Sequence, residues 1–268
     1  MAAPSSSSRI SLLLILAAVS LLVGGAFAAE CSQCTKQCSA VVSGQTDCPY
    51  PPRDKTYEYF LFVLQWPGTF CKRDNSCCDG RFPDGVDWTI HGLWPEKSQN
   101  CYPYCCDLRS VKYTPQAVTS LKADLRKYWP TLSCSNTDDS FHSNEWDKHG
   151  TCMLAALRNQ SSVLVYYYFE RVLDLYEQLP LGKILADENI KADNRKTYSP
   201  AKIIAAIEKF TGATPDLACA ENGKLLDEVH FCLDNDLKTF FNCPLGEGDR
   251  KKCGPKVRIP ELDTVLVQ

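Results

Sequence analysis

Past residue 29 the chain has no apolar run approaching the ~18 consecutive residues that a membrane span needs. A soluble mature protein that neither spans nor docks on a membrane is therefore expected. Basic surplus is missing as well. Setting Arg9 aside from the 29 Lys and Arg leaves 28, against 32 Asp and Glu, a net charge near −4. That balance argues against a non-specific binder of duplex DNA, which needs a basic stripe. It leaves room for a protein that grips only one or two nucleotides. Internal repeats and long linkers are absent, and histidine is scarce: His91, His142, His149 and His230 are all there are.

The first 29 residues read as a secretory signal peptide, with Arg9 as a weak positive start, an apolar stretch from Ile10 to Val23, and "AFAA" before Glu30. About 240 residues remain, enough for one large domain or two small ones. All 16 cysteines lie in that part. An even count on an exported chain points to disulfides. Cys31, Cys34, Cys38 and Cys48 mark residues 30–52 as a small Cys-rich N-terminal extension; a zinc site at Cys31-x-x-Cys34 is the alternative, with no nearby histidine to complete it. Asn159-Gln160-Ser161 is the only glycosylation sequon, so an N-glycan at Asn159 is expected. The tail "PELDTVLVQ" reads equally as a sorting signal or an ordinary end, leaving vacuole and cell exterior both open.

"YEYFLFVLQW" (57–66) has the unbroken apolar, aromatic pattern of a central strand covered on both faces. "VDWTIHGLW" alternates, with Val86, Trp88 and Ile90 on one face and Asp87, Thr89 and His91 on the other. Three amphipathic helices follow. One runs from Thr114 (cap) and Pro115 to Trp129. The next spans 161–179, with Val165, Phe169, Val172 and Tyr176 as its stripe. The last runs from Ser199 (cap) to Gly212 (stop). The tyrosines 166–168 are read as core packing and not as a stacking platform. "VHFCLD" and "KVRIPE" read as short strands. The pattern predicts an α+β fold, a central mainly antiparallel sheet flanked by several helices and rich in disulfides.

The chemistry concentrates in two segments. In "NEWDKHGTC" (144–152), Glu145, Lys148 and His149 are spaced i, i+3, i+4 and share one face of a helix. His91 stands on the non-apolar face of its strand, beside Gly92, where backbone can be approached closely. Two imidazoles can move protons on both sides of a phosphodiester without a metal: one takes the ribose 2′-OH proton, the other gives a proton to the departing oxygen. An ammonium such as Lys148 then offsets the extra charge on phosphorus. Glu145 would hold Lys148 or an imidazole, or donate a proton to phosphate. The plain alternative for Glu145 and Lys148 is a surface ion pair worth a few tenths of a kcal/mol.

"WTIHGLWP" (88–95) and "EWDKHGTC" (145–152) resemble the two active-site segments of the T2 family of secreted ribonucleases. "FVLQWPGTFC", "KYWPTLSC", "HFCLD" and "FFNCP" agree with it, so the resemblance runs from Tyr57 to Cys253. It is nearest the plant S-like branch, which carries extra cysteines such as the pairs Cys77-Cys78 and Cys105-Cys106. The resemblance implies a ribonuclease domain over residues 53–255, a tail over 256–268, and a monomer acting on single-stranded RNA with neither metal nor cofactor. It implies His149 as the general base, His91 as the general acid, and Glu145 and Lys148 as stabilisers of the pentacoordinate phosphate. Trp94 and Glu96 match the first base site; Gln65 and Phe141 match the second. Disulfides Cys106–Cys152 and Cys78–Cys134 are implied too. The His91 and His149 rings should face one cleft, about 5–8 Å apart, if both are to reach one phosphate.

One departure stands out. The family pattern has a histidine before Glu-Trp and a Trp after the Phe; "FHSNEW" puts Asn144 and His142 there. Asn144 keeps a neutral N–H for phosphate but cannot become a cation, which implies attenuated activity. Two other readings stay open: Asn144 as the cap of the helix, or His142 taking over the missing role. The competing reading of the whole protein is a catalytically weak or inactive storage or defence protein on the same fold. Retention of both proton carriers favours the enzyme. An acidic chain disfavours a self-incompatibility role, since relatives with that role tend to be basic.

Overall fold

The computed structural model describes residues 57–73, 77, 85–96, 103, 106, 111–153, 163–244 and 252–262. The chain divides into Met1–Pro49 and Tyr50–Gln268, and every described residue lies in the second unit. The signal peptide, Cys31 to Cys48, Asn159 and residues 263–268 fall outside the described residues.

The centre is β1 (Tyr59–Gln65), seven residues buried along their whole length. It pairs antiparallel with β2 (Thr89–Glu96) on one side and β4 (Leu225–Leu233) on the other. β3 (Asp216–Ala220) lies outside β4, giving the order β2-β1-β4-β3, with the short β5 (Phe240–Phe241) also on β4. The α+β fold expected from sequence is what forms. Because side chains alternate, Phe60, Phe62 and Leu64 enter the main core, while Tyr59, Leu61 and Val63 face the other way beside Cys232, Cys243 and Trp94.

Helices cover the main-core face: α1 (Pro67–Arg73), α2 (Lys122–Tyr128), α3 (Asp138–Glu145), α4 (Val163–Gln178), α5 (Leu181–Asp187) and α6 (Pro200–Thr211). α4 buries Val165, Phe169 and Val172 as its stripe predicts, and Tyr168 as well, whose hydroxyl donates to the Leu93 carbonyl. Of the three tyrosines only Tyr168 is core; Tyr167 is exposed. In α6, Ser199 accepts from the Lys202 N–H and Gly212 ends the helix at φ +73°, a left-handed value suited to glycine.

Three expectations need correction. The helix predicted from Thr114 to Trp129 is broken: Thr114 does cap it, but Pro115–Leu121 is a tighter 3₁₀ segment that leaves helical geometry at Val118. The Thr119 hydroxyl back-bonds to the Pro115 and Gln116 carbonyls there, a competitor of regular helix. "KVRIPE" is no strand; Val257 and Arg258 each make a single bridge, to Tyr198 and Leu225. Nor does the fold stop at residue 255. Val257 and Ile259 are buried in the main core, and the Trp66 indole donates to the Pro260 carbonyl. Disulfides join Cys71–Cys77, Cys106–Cys152, Cys219–Cys253 and Cys232–Cys243. Cys134 is also disulfide-bonded, while Cys78 lies outside the described residues.

Candidate active site

A single extra residue in β2 orients the site. Gly92 pairs with Val63 and Ile90 with Leu64, which leaves His91 between them without a partner of its own across the strand. Such a bulge shifts the alternation by one. Trp88, Ile90 and Leu93 therefore all reach the main core, and Trp94 joins the opposite face. The half-buried His91, opposite Ile90, already stands on that face, so the shift brings Trp94 beside it, edge-on at 4.9 Å between ring centres. The simple alternation read from sequence holds as far as His91 and then changes phase.

The second segment arrives as α3 and the turn after it. Thr137 caps α3, accepting from the Ser140 N–H while the Ser140 hydroxyl accepts from the Thr137 N–H. Asn144 is therefore not the cap; it is exposed, in the last turn, one residue before Glu145. Past Glu145 the backbone widens into one π-helical turn, Trp146–Gly150, a geometry common at functional sites. Glu145 and His149 are both buried and Lys148 half-buried, so the shared face survives the change of pitch. Cys106–Cys152 ties down the residues just after this turn. A side chain at Gly92 would collide with the Glu145 carboxylate and the Trp94 indole, and one at Gly150 would collide with the Trp146 ring. Glycine at these two positions is what lets the helical segment close against β2.

Trp94 sits at the junction. Its ring stacks on His149 at 5.2 Å and 24°, and its N–H donates to Glu145 Oε2 at 3.0 Å. One indole thus touches three of the four catalytic candidates, His91, Glu145 and His149. Phe141, half-buried, lies nearly parallel to His91 at 6.4 Å. Gln65 and Glu96 are buried at opposite ends of the paired strands, Gln65 beside Thr89 and Glu228, Glu96 beside Tyr59. His142 is elsewhere. It belongs to α3 and does not precede it, its Nε2 bonds the Trp129 carbonyl at 2.8 Å, and its ring packs between Trp129 and Phe169. Takeover by His142 is thereby ruled out: the imidazole points into the core.

Two residues were missed from sequence. Glu228 and His230 project from β4 onto the site's face, two apart as a strand requires. Glu228 Oε1 lies 2.7 Å from His91 Nδ1, and its Oε2 lies 2.9 Å from His230 Nε2. His230 was one of only four histidines, in a segment already read as a strand; its period-2 neighbour was the signal that went unused.

The electrostatics separate the two imidazoles. Burial pulls His91 toward neutrality, but the Glu228 charge and hydrogen bond more than offset it and raise its pKa above 6.5. Burial pulls His149 the same way, and Lys148 and His91 add to the effect, so its pKa falls well below 6.5. Burial raises Glu145 against the pull of His91, Lys148 and the Trp94 hydrogen bond. Burial also opposes ionisation of Glu228, yet His91 and His230 hold it well below 4.5. Two imidazoles displaced in opposite directions against one indole have the chemistry of an acid and a base. Among the described residues no cluster of three or more His, Cys, Asp or Glu could hold a metal ion.

Comparison with known proteins follows the same line. Residues 57–243 match the Ribonuclease T2 family. Extracellular ribonuclease LE of Solanum lycopersicum is 35% identical over 77% of this chain and 88% of its own length. Intracellular ribonuclease LX of the same organism is 34% identical over 78% and 86%. Among solved structures, the RNase-related protein from Calystegia sepium superposes with a TM-score of 0.64 at 31% identity, covering 77% of this chain and 98% of that one. RNase NT in complex with 5′-AMP does so with 0.64 at 30% identity, covering 76% and 98%.

Proposed function

The chain belongs to the Ribonuclease T2 family, in its plant S-like branch, and on that footing we propose that this endoribonuclease cleaves single-stranded RNA by transesterification without a metal. His149, held neutral, takes the proton of a ribose 2′-OH. The 2′-oxygen then attacks phosphorus, forming a 2′,3′-cyclic phosphate as the bond to the 5′-oxygen breaks. His91, held protonated, gives its proton to that leaving oxygen. Its Nδ1 is committed to Glu228, so Nε2 is the nitrogen that delivers it. Water later opens the ring with the two roles reversed, leaving a 3′-phosphate. DNA lacks the nucleophile and is spared.

Lys148 and Glu145 stabilise the five-coordinate phosphorus, with Trp94 aligning Glu145 and buttressing His149. Trp94, half-buried, keeps a ring surface for the first base beside Glu96; Phe141 and Gln65 flank the second; exposed Asn144 supplies a neutral donor to phosphate, at some cost in rate. The protein enters the secretory route as a monomer, loses residues 1–29 and carries a glycan at Asn159. Among the described residues no helix is long and apolar enough to cross a membrane.

The observation that carries this reading is the opposite displacement of two imidazole pKa values around one indole. Purified protein incubated with single-stranded RNA in EDTA should release cyclic phosphate, visible by phosphorus NMR, and His91→Ala and His149→Ala should each abolish it. Intact RNA at every pH between about 4 and 8 would hand the molecule to the storage or defence reading.

A further inference from the structure

We propose that Glu228, anchored on its second oxygen by His230, is the positioning residue of the His91 acid. It turns the ring so that Nε2 faces the leaving oxygen, and it keeps a full negative charge behind the proton to be delivered. The inference rests on the transesterification reading above and adds a function for β4.

The contact is built, not incidental. His91 belongs to β2 and Glu228 to β4, with β1 between them, so the bond spans the middle strand. It is possible because His91, at the bulge, stands on the face where Glu228 and His230 also stand, paired with Gln65 and Val63. Both partners are sheltered: the side chains of Glu228 and His230 are 16% and 5% exposed. His230 Nδ1 is buried with no hydrogen-bond partner among the described residues. A proton on that nitrogen would be stranded, so the ring carries its proton on Nε2 and donates it to Glu228. That N–H satisfies the carboxylate's far oxygen and leaves its near oxygen to His91, the arrangement by which a carboxylate orients an imidazole.

Other titratable groups act on the same imidazole, Glu145, Lys148 and His149 from the helical segment; from the sheet, His230 shares Glu228 with it, and Asp216 of β3 pairs across from His230. Glu228 bonds the His91 ring directly, at 2.7 Å.

The test is the pH profile of kcat and KM on a single-stranded RNA oligonucleotide for the full chain and Glu228→Gln. The variant should move the alkaline limb of kcat down by about one pH unit or more and lower kcat near pH 8 about tenfold, with KM little changed. The His91 midpoint, read by nitrogen-edited NMR, should fall with it. Glu228→Asp, which keeps the charge, should return the limb toward that of the parent. His230→Gln, which keeps a donor, should retain more kcat than His230→Phe, and this pair carries the test if Glu228→Gln does not fold. An alkaline limb that stays in place, or equal losses in Glu228→Gln and Glu228→Asp, makes Glu228 merely structural and overturns the inference while the ribonuclease reading stands. A parent protein that leaves RNA intact overturns both.

Discussion

His91 and His149 hold protons differently because one has a carboxylate at its back, while burial, Lys148 and His91 push the other toward neutrality. The sign follows directly. Activity needs His149 bare, and is lost as pH falls through a value below 6.5; it needs His91 charged, and is lost as pH rises through a value above 6.5. A plot of kcat/KM against pH should therefore be a bell whose two limbs bracket pH 6.5. Limbs on the same side of 6.5 would contradict the assignment. At position 144 the exposed amide has room for an imidazole, and Asn144→His should raise kcat about ten- to thirtyfold, the worth of one charged hydrogen bond. His142→Phe should leave kcat alone but cost about 1–2 kcal/mol in urea unfolding, since the buried Trp129 carbonyl loses its partner.

Among the elements, the bulge of β2 and the π-turn after α3 do the placing, and neither is written plainly in the residues. Periodicity revealed the strand of His91, the stripe of α4 and both caps of α6, because burial imposes a repeat that the sequence must obey. It also put Glu145 and His149 on one face, and both meet the Trp94 indole. The phase change at His91 was invisible, since an inserted residue keeps the same letters and alters only what they oppose. Glu228 was hidden for a related reason: it acts across β1, and only the register of β4 on β1 reveals that reach. α5 and the helical start at Pro67 were too short to show a repeat. Gly92 makes the bulge testable. Gly92→Ala should leave far-ultraviolet circular dichroism intact yet reduce kcat more than about tenfold, because its methyl would push Glu145 and Trp94 out of line.

Across the molecule, covalent bonds guard what the small functional segments cannot hold alone. Cys106–Cys152 closes a loop of separation 46 and ends two residues beyond Gly150 of the π-turn. Replacing both cysteines with alanine should lower unfolding free energy by about 2–4 kcal/mol in a guanidinium titration. The site's parts are spread along the chain: His91 and Glu228 are 137 residues apart, and they meet only when β4 closes on β1. During synthesis both proton carriers emerge well before the strand from Leu225 onward. Until that strand pairs with β1, the acid lacks its backing and the sheet its far half. Full catalytic competence is therefore among the last properties the growing chain acquires.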